Sequence, residues 1–509
     1  MALDSPGYSY LIERYKLAAR PLSVSARIDA RTKGRQLQQS GDQDVLVFEP
    51  KYQPENTLAG HLQFALRYEG INLEVLALLF QQTGKDELNA WLAESPASIY
   101  ARRTGFLFEW LTGQELKTNV PAKESYVSLV DNEIQFGLKE GERDTRFRVM
   151  NNLPGNRDFC PLVRRTSYLN EMVAYDLREK TRKTLAGYDK DLLRRAAGYL
   201  YLKETQSSFE VEREKPSPDR AQRFADLLRQ ADTQKPLTEE RLVELQNAVL
   251  DPRFHEFTWR HQQNWIGKDH GYRKLVAFVP ARPEDVPALM TGLLALATQS
   301  RSWNAVETDD HYETQIDPVV LATVIAFGFV FIHPFMDGNG RIHRYLIHEV
   351  LANAGFTPKG IILPVSAVIL ANLDEYVAAL EACSKPLRAM TNYNPDSSDI
   401  PATGNDAVYF RYFDATPQTE FLYRSLQRTV EEDLEKEINY LLGFDRAYTA
   451  LNGLLDWPEH SLELFIHVVQ QNKGTLSKTK RESHFKWMTD DEVRKAQQQV
   501  VEAFSQNSE

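Results

Sequence analysis

Apolar side chains recur at spacings of three and four residues along most of this chain, which is the pattern of amphipathic α-helices. The pattern is clear at 76–80 and 101–111 near the N-terminus, and it returns over 169–208. Strict alternation of apolar and polar residues, which is typical of strands, is confined to 126–134 and 145–150, between turns that contain glycine. The pattern therefore predicts a mainly α-helical fold with one small β element.

Turn formers and changes of pattern divide the 509 residues into several units, as expected at a length at which a single apolar core stops growing. The clearest boundary is a segment in which proline, aspartate, serine and glycine follow one another. The expected units are an N-terminal helical domain at 1–120, a small β-rich connector at 121–160, a helical region at 161–250, a dense apolar core at 251–393, a linker at 394–405 and a C-terminal helical domain at 406–509.

One segment is apolar on every side and predicts a helix buried at the centre of its domain. Asp317 and Pro318 form a helix start, and the residues 319–332 are almost entirely apolar. The helix is expected to end before His333, because a residue that precedes proline is pushed out of the helical region. A tight turn follows at 335–340, and a second helix is expected to begin there.

The turn has the composition of an anion-binding site. Gly338 and Gly340 bracket Asn339, so that successive backbone N–H groups can point the same way. Arg341 and Arg344 lie in the first turn of the second helix, where the helix dipole disfavours cations by about 0.3–1 kcal/mol each. A negative group is therefore expected beside them, and this combination at a helix N-terminus indicates a polyphosphate.

Two further side chains near this turn suit group-transfer chemistry. Asp337 offers a carboxylate to a hard cation such as Mg2+ or Mn2+, which the phosphates would share. His333 follows a rigid buried helix, where it is placed to take a proton near neutral pH. A histidine at a helix end is more often structural, so its assignment as a base depends on the whole stretch.

The twelve residues from His333 to Arg344 resemble the Fic (filamentation induced by cAMP) motif at every fixed position, with the sequence HPFMDGNGRIHR. The resemblance implies a helical Fic core with a β-hairpin flap and a protein adenylyltransferase. Such an enzyme moves AMP from ATP to a Ser, Thr or Tyr hydroxyl of a target protein or of itself. It also implies that His333 deprotonates the hydroxyl and that Asp337 holds the metal. The glycine turn, Arg341 and Arg344 would bind the phosphates.

The segments on either side of the motif also resemble the family. The stretch 263–290 resembles the flap, which would align an extended segment of the target by strand addition. The stretch 372–380 resembles the part that contacts the nucleotide base, which implies that Tyr376 binds the nucleotide. Val377 and Ser384 stand where a tyrosine and an asparagine are common.

A third resemblance concerns Ser208 and Glu212, which match the Ser/Thr-x-x-x-Glu-Gly/Asn inhibitory motif of many Fic proteins. The glutamate of that motif pairs with the second arginine of the Fic motif and blocks productive binding of the γ-phosphate. The resemblance implies that Glu212 pairs with Arg344 and restrains the enzyme. Arg213 stands where glycine or asparagine is usual, and an ordinary surface carboxylate is the alternative interpretation of Glu212.

Composition narrows the choice of partners and compartment. The net charge of -11 and the pI of about 5.6 argue against nucleic acid as the main partner, because phosphate contacts need a basic face. Cys160 and Cys383 are too far apart in sequence for a metal or redox spacing. The N-terminus shows no secretory pattern, and the longest apolar run, 318–332, is shorter than the roughly 20 residues of a membrane-spanning helix. A cytoplasmic protein without membrane contact is expected.

Basic and aromatic residues cluster near the C-terminus, at Lys473, Lys478, Lys480, Arg481, His484, Phe485, Lys486 and Trp487. Such a cluster is typical of a nucleic-acid or protein contact, although a run of charges is more often a solvated face.

Two functions other than adenylyl transfer are compatible with the motif. One is a regulatory module that senses a nucleotide, and the other is a Fic enzyme that transfers or removes a different phosphate-containing group. A dinucleotide site is excluded because His343 stands where the third glycine is needed. His343 and His348 also lack the spacing of zinc ligands.

Overall fold

Helices make up most of the fold, which confirms the predicted mainly α-helical class. The structure, a computed structural model, describes residues 5–40, 43–118, 120–233, 235–271, 273–303, 314–396, 401–458 and 460–505. The helices are α1 Tyr8–Tyr15, α2 Leu58–Tyr68, α3 Leu73–Gln82, α4 Lys85–Glu94, α5 Ile99–Thr112, α6 Ser167–Tyr175, α7 Leu177–Ala186, α8 Lys190–Val211, α9 Pro218–Leu228, α10 Glu239–Val249, α11 Val286–Arg301, α12 Pro318–Ile332, α13 Asn339–Asn353, α14 Val365–Ala371, α15 Leu373–Met390, α16 Val408–Arg411, α17 Thr416–Arg428, α18 Leu434–Asn452, α19 Ser461–Gln471, α20 Lys478–His484 and α21 Asp490–Ser505. Among the helices described, none combines the length and the apolar character that crossing a membrane requires.

The strands form three small sheets. They are β1 Val24–Ile28, β2 Arg35–Ser40, β3 Gln43–Phe48, β4 Val127–Ser128, β5 Glu142–Asp144, β6 Val149–Asn151, β7 Ile266–Asp269 and β8 Lys274–Phe278. The strand orders are β1-β3-β2, β4-β6-β5 and β7-β8. The second sheet lies in the predicted connector, whereas the first lies within 1–120, where no strand was predicted in the helical domain. The apolar run at 45–48 is too short for its periodicity to distinguish a buried strand from a helix.

The two helices that flank the Fic-like turn pack against each other in the largest apolar core. Every residue of α12 is buried, and Asp317 caps the helix by accepting two backbone N–H groups of its first turn at 2.9 and 3.1 Å. Each fully buried aliphatic or aromatic side chain contributes about 1.5–3 kcal/mol, so α12 is a rigid support for the turn at its end. The helix ends at His333, and α13 begins at Asn339. The carboxyl end of α12 and the amino end of α13 therefore meet at the turn 333–338.

A buried polar network anchors α8 to this pair of helices. Glu204 on α8 is fully buried, and its carboxylate lies 2.8 Å from Nε2 of His348 on α13. The same carboxylate accepts hydrogen bonds from the backbone N–H and the hydroxyl of Ser366 on α14. Because an unpaired buried carboxylate would be costly, the network fixes α8 against α13 and α14.

The last helices have an apolar core of their own. One π-helical turn, Thr429–Asp433, joins α17 to α18, and four apolar residues that share a face of this helix, Leu426, Val430, Leu434 and Ile438, are buried. The separate core consists of Ala447, Leu451, Leu462, Phe465, Ile466, Val469, Phe485, Met488, Val493, Ala496, Val500 and Ala503. Helices α19 and α21 contribute apolar residues to this core, whereas no residue of α20 is buried.

Candidate active site

His333 ends α12 in the left-handed backbone region, with φ of 57° and ψ of 60°. Its Nδ1 lies 3.2 Å from the carbonyl oxygen of Val330. With the proton assigned to Nδ1 from this contact, Nε2 is free to accept another. Burial, together with the positive charge of Arg260, lowers the pKa of His333 to about 4. The ring is therefore neutral at physiological pH, in the form that a general base needs.

The turn after His333 is held by Phe335 and Asn339. The Phe335 ring is fully buried and packs against Trp259 at a centroid distance of 5.3 Å. The Asn339 side chain accepts a hydrogen bond from the Phe335 N–H at 3.1 Å and donates one to its carbonyl oxygen at 2.8 Å. The side-chain amide of Asn339 is thus engaged within the turn and fixes the backbone of Phe335.

The second arginine of the motif contacts both predicted inhibitory residues. Arg344 is almost fully buried and donates from Nε to the Ser208 hydroxyl at 2.9 Å and from Nη2 to the Ser208 carbonyl oxygen at 2.6 Å. Its Nη1 lies 2.9 Å from Oε1 of Glu212. The structure therefore brings Ser208, Glu212 and Arg344 together.

The first arginine pairs with a carboxylate that the sequence analysis did not single out. Nη1 of Arg341 lies 2.5 Å from Oε2 of Glu214 and 3.2 Å from the carbonyl oxygen of Val249. Arg220 also contacts Glu214, at 2.9 Å. The negative charge expected beside the two arginines is thus supplied by two glutamates of one segment.

One buried donor of the two arginines lacks a hydrogen-bond acceptor, and a second would be released if Glu212 left. Nε of Arg341 has no acceptor among the described residues, whereas Nη1 of Arg344 is held by Glu212, 2.9 Å from its Oε1. Unsatisfied buried donors cost about 1–3 kcal/mol each, and an anionic ligand with several oxygens would satisfy them. The site therefore has spare donors for a phosphate group.

The Glu212 carboxylate lies where the helix N-terminus attracts an anion. A Cβ added at Gly340 would come within 2.1 Å of Oε1 of Glu212, so the carboxylate lies directly against the first turn of α13. Burial is the largest influence and would raise the pKa of Glu212, but the charge and hydrogen bond of Arg344, together with the charge of Arg341, outweigh burial and lower the pKa below its ordinary value. Glu212 is therefore ionised at neutral pH.

A Schellman motif at the end of α8 sets the positions of both glutamates. The N–H of Glu214 bonds to the Phe209 carbonyl oxygen at 3.0 Å, and that of Arg213 to the Glu210 carbonyl oxygen at 2.8 Å. Arg213 between them has φ of 58°, in the left-handed region. Glycine and asparagine enter this region most easily, which gives a physical reason for their frequency at this position in the inhibitory motif.

We expect Arg213→Gly to stabilise the protein by about 1 kcal/mol, because glycine removes the left-handed strain and loses part of the gain as backbone entropy. Thermal unfolding of the wild type, Arg213→Gly and Arg213→Ala measures this. The alanine variant loses the same side chain but keeps the strain. Equal melting temperatures for the glycine and alanine variants would contradict the explanation.

Asp337 lies on the open side of the turn, with 58% of its side chain exposed. Its Oδ1 accepts the Gly338 N–H at 2.6 Å and lies 3.4 Å from Arg341. No group of three or more potential metal ligands occurs among the residues described. A single carboxylate suits Mg2+ or Mn2+ that takes its other oxygens from phosphates and water. The residues thus fit a metal that arrives with the nucleotide.

Tyr376 lies behind α13 rather than on the open side. Its ring is buried and stacks on His343 at a centroid distance of 6.1 Å, and burial raises its pKa to about 12. His343 itself is buried, with Nδ1 2.8 Å from the carbonyl oxygen of Ala326. His343 and His348 therefore both have structural contacts inside the protein.

The predicted flap is a two-stranded hairpin. Strands β7 and β8 pair antiparallel, and every residue of β7 is exposed. The hairpin is tied to the active-site turn, because Asn264 donates to the Phe335 carbonyl oxygen at 3.1 Å. In the part of the chain that the structure describes, β7 pairs with β8 alone, so its outer edge is open.

Comparisons with known proteins agree with the motif. The sequence model of the Fic/DOC family matches residues 236–351. A Fido domain-containing protein of Dictyostelium discoideum is 32% identical over 124 residues, which cover 24% of this chain and 75% of that protein. A protein adenylyltransferase of Caenorhabditis elegans is 36% identical over 76 residues, which cover 15% of this chain and 14% of that protein. The protein adenylyltransferase Fic of Drosophila willistoni is 34% identical over 86 residues, which cover 17% and 15%.

This chain thus spans only a small part of the two adenylyltransferases. A solved Fic family protein of Desulfovibrio desulfuricans is 18% identical, with a TM-score of 0.38 over 66% of this chain and 86% of that one. The family model covers the flap, α12 and α13, and the Dictyostelium protein is matched over three quarters of its length. The chain belongs to the Fic/DOC family.

Proposed function

We propose that this chain is a protein adenylyltransferase that transfers AMP from ATP to a Ser, Thr or Tyr hydroxyl of a target protein or of itself. The observation that carries the proposal is a neutral histidine next to a helix N-terminus that holds two buried arginines, one of which keeps an unsatisfied donor. The names of the Caenorhabditis and Drosophila relatives support the same reaction.

In this proposal the chain binds ATP at the amino end of α13. The backbone N–H groups of the turn, Arg341 and Arg344 take the outer phosphates. Asp337 would hold Mg2+ or Mn2+ against the phosphates, where the metal would neutralise developing charge. The α-phosphorus then faces His333.

The proton and bond changes follow from that arrangement. Nε2 of His333 takes the proton of the target hydroxyl, whose oxygen bonds to the α-phosphorus. The bond from the α-phosphorus to the bridging oxygen breaks, and pyrophosphate leaves. The open edge of β7 would hold the target as an added strand, so that its hydroxyl lies near His333.

We further propose that Glu212 restrains this activity. Its carboxylate lies against Gly340 and Arg344, where the outer phosphates of ATP would need to bind. Two negative groups cannot share this place without strong repulsion. Productive binding of ATP therefore requires the end of α8 to move or Glu212 to be removed.

The experiment that tests the proposal uses the Glu212→Gly chain with Mg2+, cell lysate and ATP labelled at the α-phosphate. We expect label on at least one protein, this chain included, and we expect it to disappear with His333→Ala. A complete lack of label that depends on His333 would refute the proposal.

A second candidate function, contact with nucleic acid, is favoured by the surface around α20. No residue of α20 is buried, and Trp487 after it is 43% exposed. No carboxylate lies within 4 Å of Lys473, Lys478, Lys480 or Lys486 in the described segments, so their charges are not neutralised by ion pairs. Unpaired lysines beside an exposed aromatic ring suit a phosphate backbone.

If this surface binds nucleic acid, Lys478→Glu with Lys480→Glu should abolish retention on heparin and on duplex DNA at moderate salt. The matched control is Lys190→Glu with Lys359→Glu, which changes the net charge equally at exposed sites elsewhere. Binding by acidic proteins alone would instead assign the surface to a protein partner. Equal behaviour of the two double variants would exclude a specific patch.

A further inference from the structure

The segment 256–264 holds the backbone of the active-site turn from one side. The side chain of Arg260 donates from Nε to the carbonyl oxygen of His333 at 2.7 Å. The backbone N–H of the same arginine donates to the carbonyl oxygen of Pro334 at 2.8 Å. One residue thus binds two successive peptide groups, beginning with that of the proposed base.

The contacts continue along the turn in order. Asn264 donates to the Phe335 carbonyl oxygen at 3.1 Å, and Oε1 of Glu256 accepts the Met336 N–H at 2.8 Å. Glu256 is itself held by buried Gln246, which donates to the same oxygen at 3.2 Å. The turn is therefore held at the four successive residues 333–336. The groups that hold it belong to the segment 256–264, which lies about 70 to 80 residues earlier in the sequence.

Arg260 is unusual because it is a buried cation without a carboxylate partner. It is only 2% exposed, and it donates to carbonyl oxygens, those of His333, Gln262, Ala281 and Ile332. No carboxylate lies within 4 Å of it among the residues described, and burial lowers its pKa to about 10. Burying a charge in this way is costly, and the carboxyl end of α12 offsets only part of the cost through its dipole.

We propose that Arg260 is a positioning residue, which holds His333 in its left-handed conformation and thereby aims Nε2 of the imidazole at the target hydroxyl. Glu256 and Asn264 extend the same clamp to the start of the phosphate-binding turn. The role in aiming the base depends on the proposed adenylyl transfer, but the effect of Arg260 on the His333 ring does not. A displacement of the base by about 1 Å can cost about 100-fold in rate.

The clamp makes a prediction for the His333 ring that is independent of activity. Three charged groups face this ring, namely Arg260, Glu212 and Asp337. Loss of the arginine charge removes repulsion of the imidazolium, so the pKa of His333 should rise toward its ordinary value. Loss of the hydrogen bond to the His333 carbonyl should also release the ring from Val330, so that both neutral tautomers become populated.

The experiment is NMR of histidine-labelled protein, with His333→Ala to assign the signal, for the wild type, Arg260→Gln and Arg260→Lys. The lysine variant keeps the charge but cannot span the carbonyl groups, and it decides the outcome if the glutamine variant fails to fold. The control is Arg282→Gln, an arginine after the flap that pairs with Asp285. We expect a changed tautomer in both Arg260 variants, a raised pKa in Arg260→Gln, and neither change in the control.

The same variants, placed in the Glu212→Gly chain, give the kinetic measurement. We expect kcat for AMP incorporation to fall about 30- to 100-fold while KM for ATP stays within about twofold, because the arginine acts on the base and not on the phosphates. Folded Arg260 variants with an unchanged His333 tautomer and unchanged kcat would overturn the inference. If the label does not depend on His333 at all, the adenylyl transfer is refuted, and the NMR result alone decides the role of Arg260.

Discussion

Replacing Glu212 by glycine is expected to raise AMP incorporation about tenfold. The carboxylate is 37% exposed while Arg344 is buried, so their attraction lies between that of an exposed and that of a buried pair, at about 1.5 kcal/mol. A free-energy difference of 1.4 kcal/mol corresponds to about a factor of ten in an equilibrium constant. When Glu212 is removed, Arg344 is free to bind the phosphates of ATP, and the free energy of the lost ion pair no longer opposes that binding. The measurement is the initial rate with ATP labelled at the α-phosphate.

Glu214, the second glutamate at the site, gives a related prediction. After Glu212→Gly, Arg341 remains paired with Glu214, so a further Glu214→Gln should add about another tenfold. Both residues lie on one Schellman turn, so we expect the double variant to depart from the product of the single effects. The matched control is Glu210→Gly, which has the same chemistry on the exposed side of α8. A Glu212→Gly chain no more active than this control would contradict restraint by Glu212.

Replacing His333 by alanine in the Glu212→Gly chain is expected to lower AMP incorporation by about 100- to 10,000-fold, the usual contribution of a positioned general base. The affinity for ATP should change little, because the imidazole faces the hydroxyl and the arginines bind the phosphates. Initial rates and equilibrium binding of ATP measure the two effects. His484→Ala, at an exposed histidine, is the control. A residual rate within about threefold of the parent would exclude His333 as the base.

The pH dependence of AMP incorporation should reflect the lowered pKa of His333. A base must be deprotonated to act, and burial lowers the pKa of His333 to about 4. Activity should therefore fall only as the pH drops toward about 4, and not near the ordinary histidine value of about 6.5. A fall in rate centred near that ordinary value, with the protein still folded, would show that His333 is not held in its buried environment during the reaction.

The central helix pair could be predicted from sequence because its signals are local. A helix that is apolar on every side, with Asp317 before Pro318 at its start and His333 before a proline at its end, needs no distant partner to be recognised. The sheet at 24–48 could not be predicted, because β1 pairs in parallel with β3, and β2 lies between these two strands in the sequence. Short runs of apolar residues acquire a defined structure only through such pairing.

The boundaries between packed units also depend on contacts between residues that are distant in sequence. Turn formers mark the segment 394–405 as a loop, and the domain division drawn there stays a prediction. Phe421 on α17 nevertheless contacts Phe327 on α12, at a centroid distance of 6.5 Å, within the largest core. Loop composition reports local conformation and carries no information about which helices share a core.

The candidate site was predictable as far as its residues are neighbours in sequence. His333, Asp337 and the two arginines fall within one turn and the helix ends beside it. The carboxylate of Glu214 and the clamp by Arg260 come from irregular segments far away in sequence, and no periodicity signals such contacts. The sequence predicts a phosphate beside the two arginines, whereas in this structure two glutamates occupy that place.

The most direct test of adenylyl transfer compares two labels in one reaction. The Glu212→Gly chain is incubated with unlabelled target protein, identified beforehand in the lysate experiment. The ATP carries the label at either the α-phosphate or the γ-phosphate. We expect protein-bound label from the α-position only, and we expect it to be lost with His333→Ala. Protein-bound label from the γ-position would contradict adenylyl transfer, because it would mean that a terminal phosphate is transferred and AMP is not.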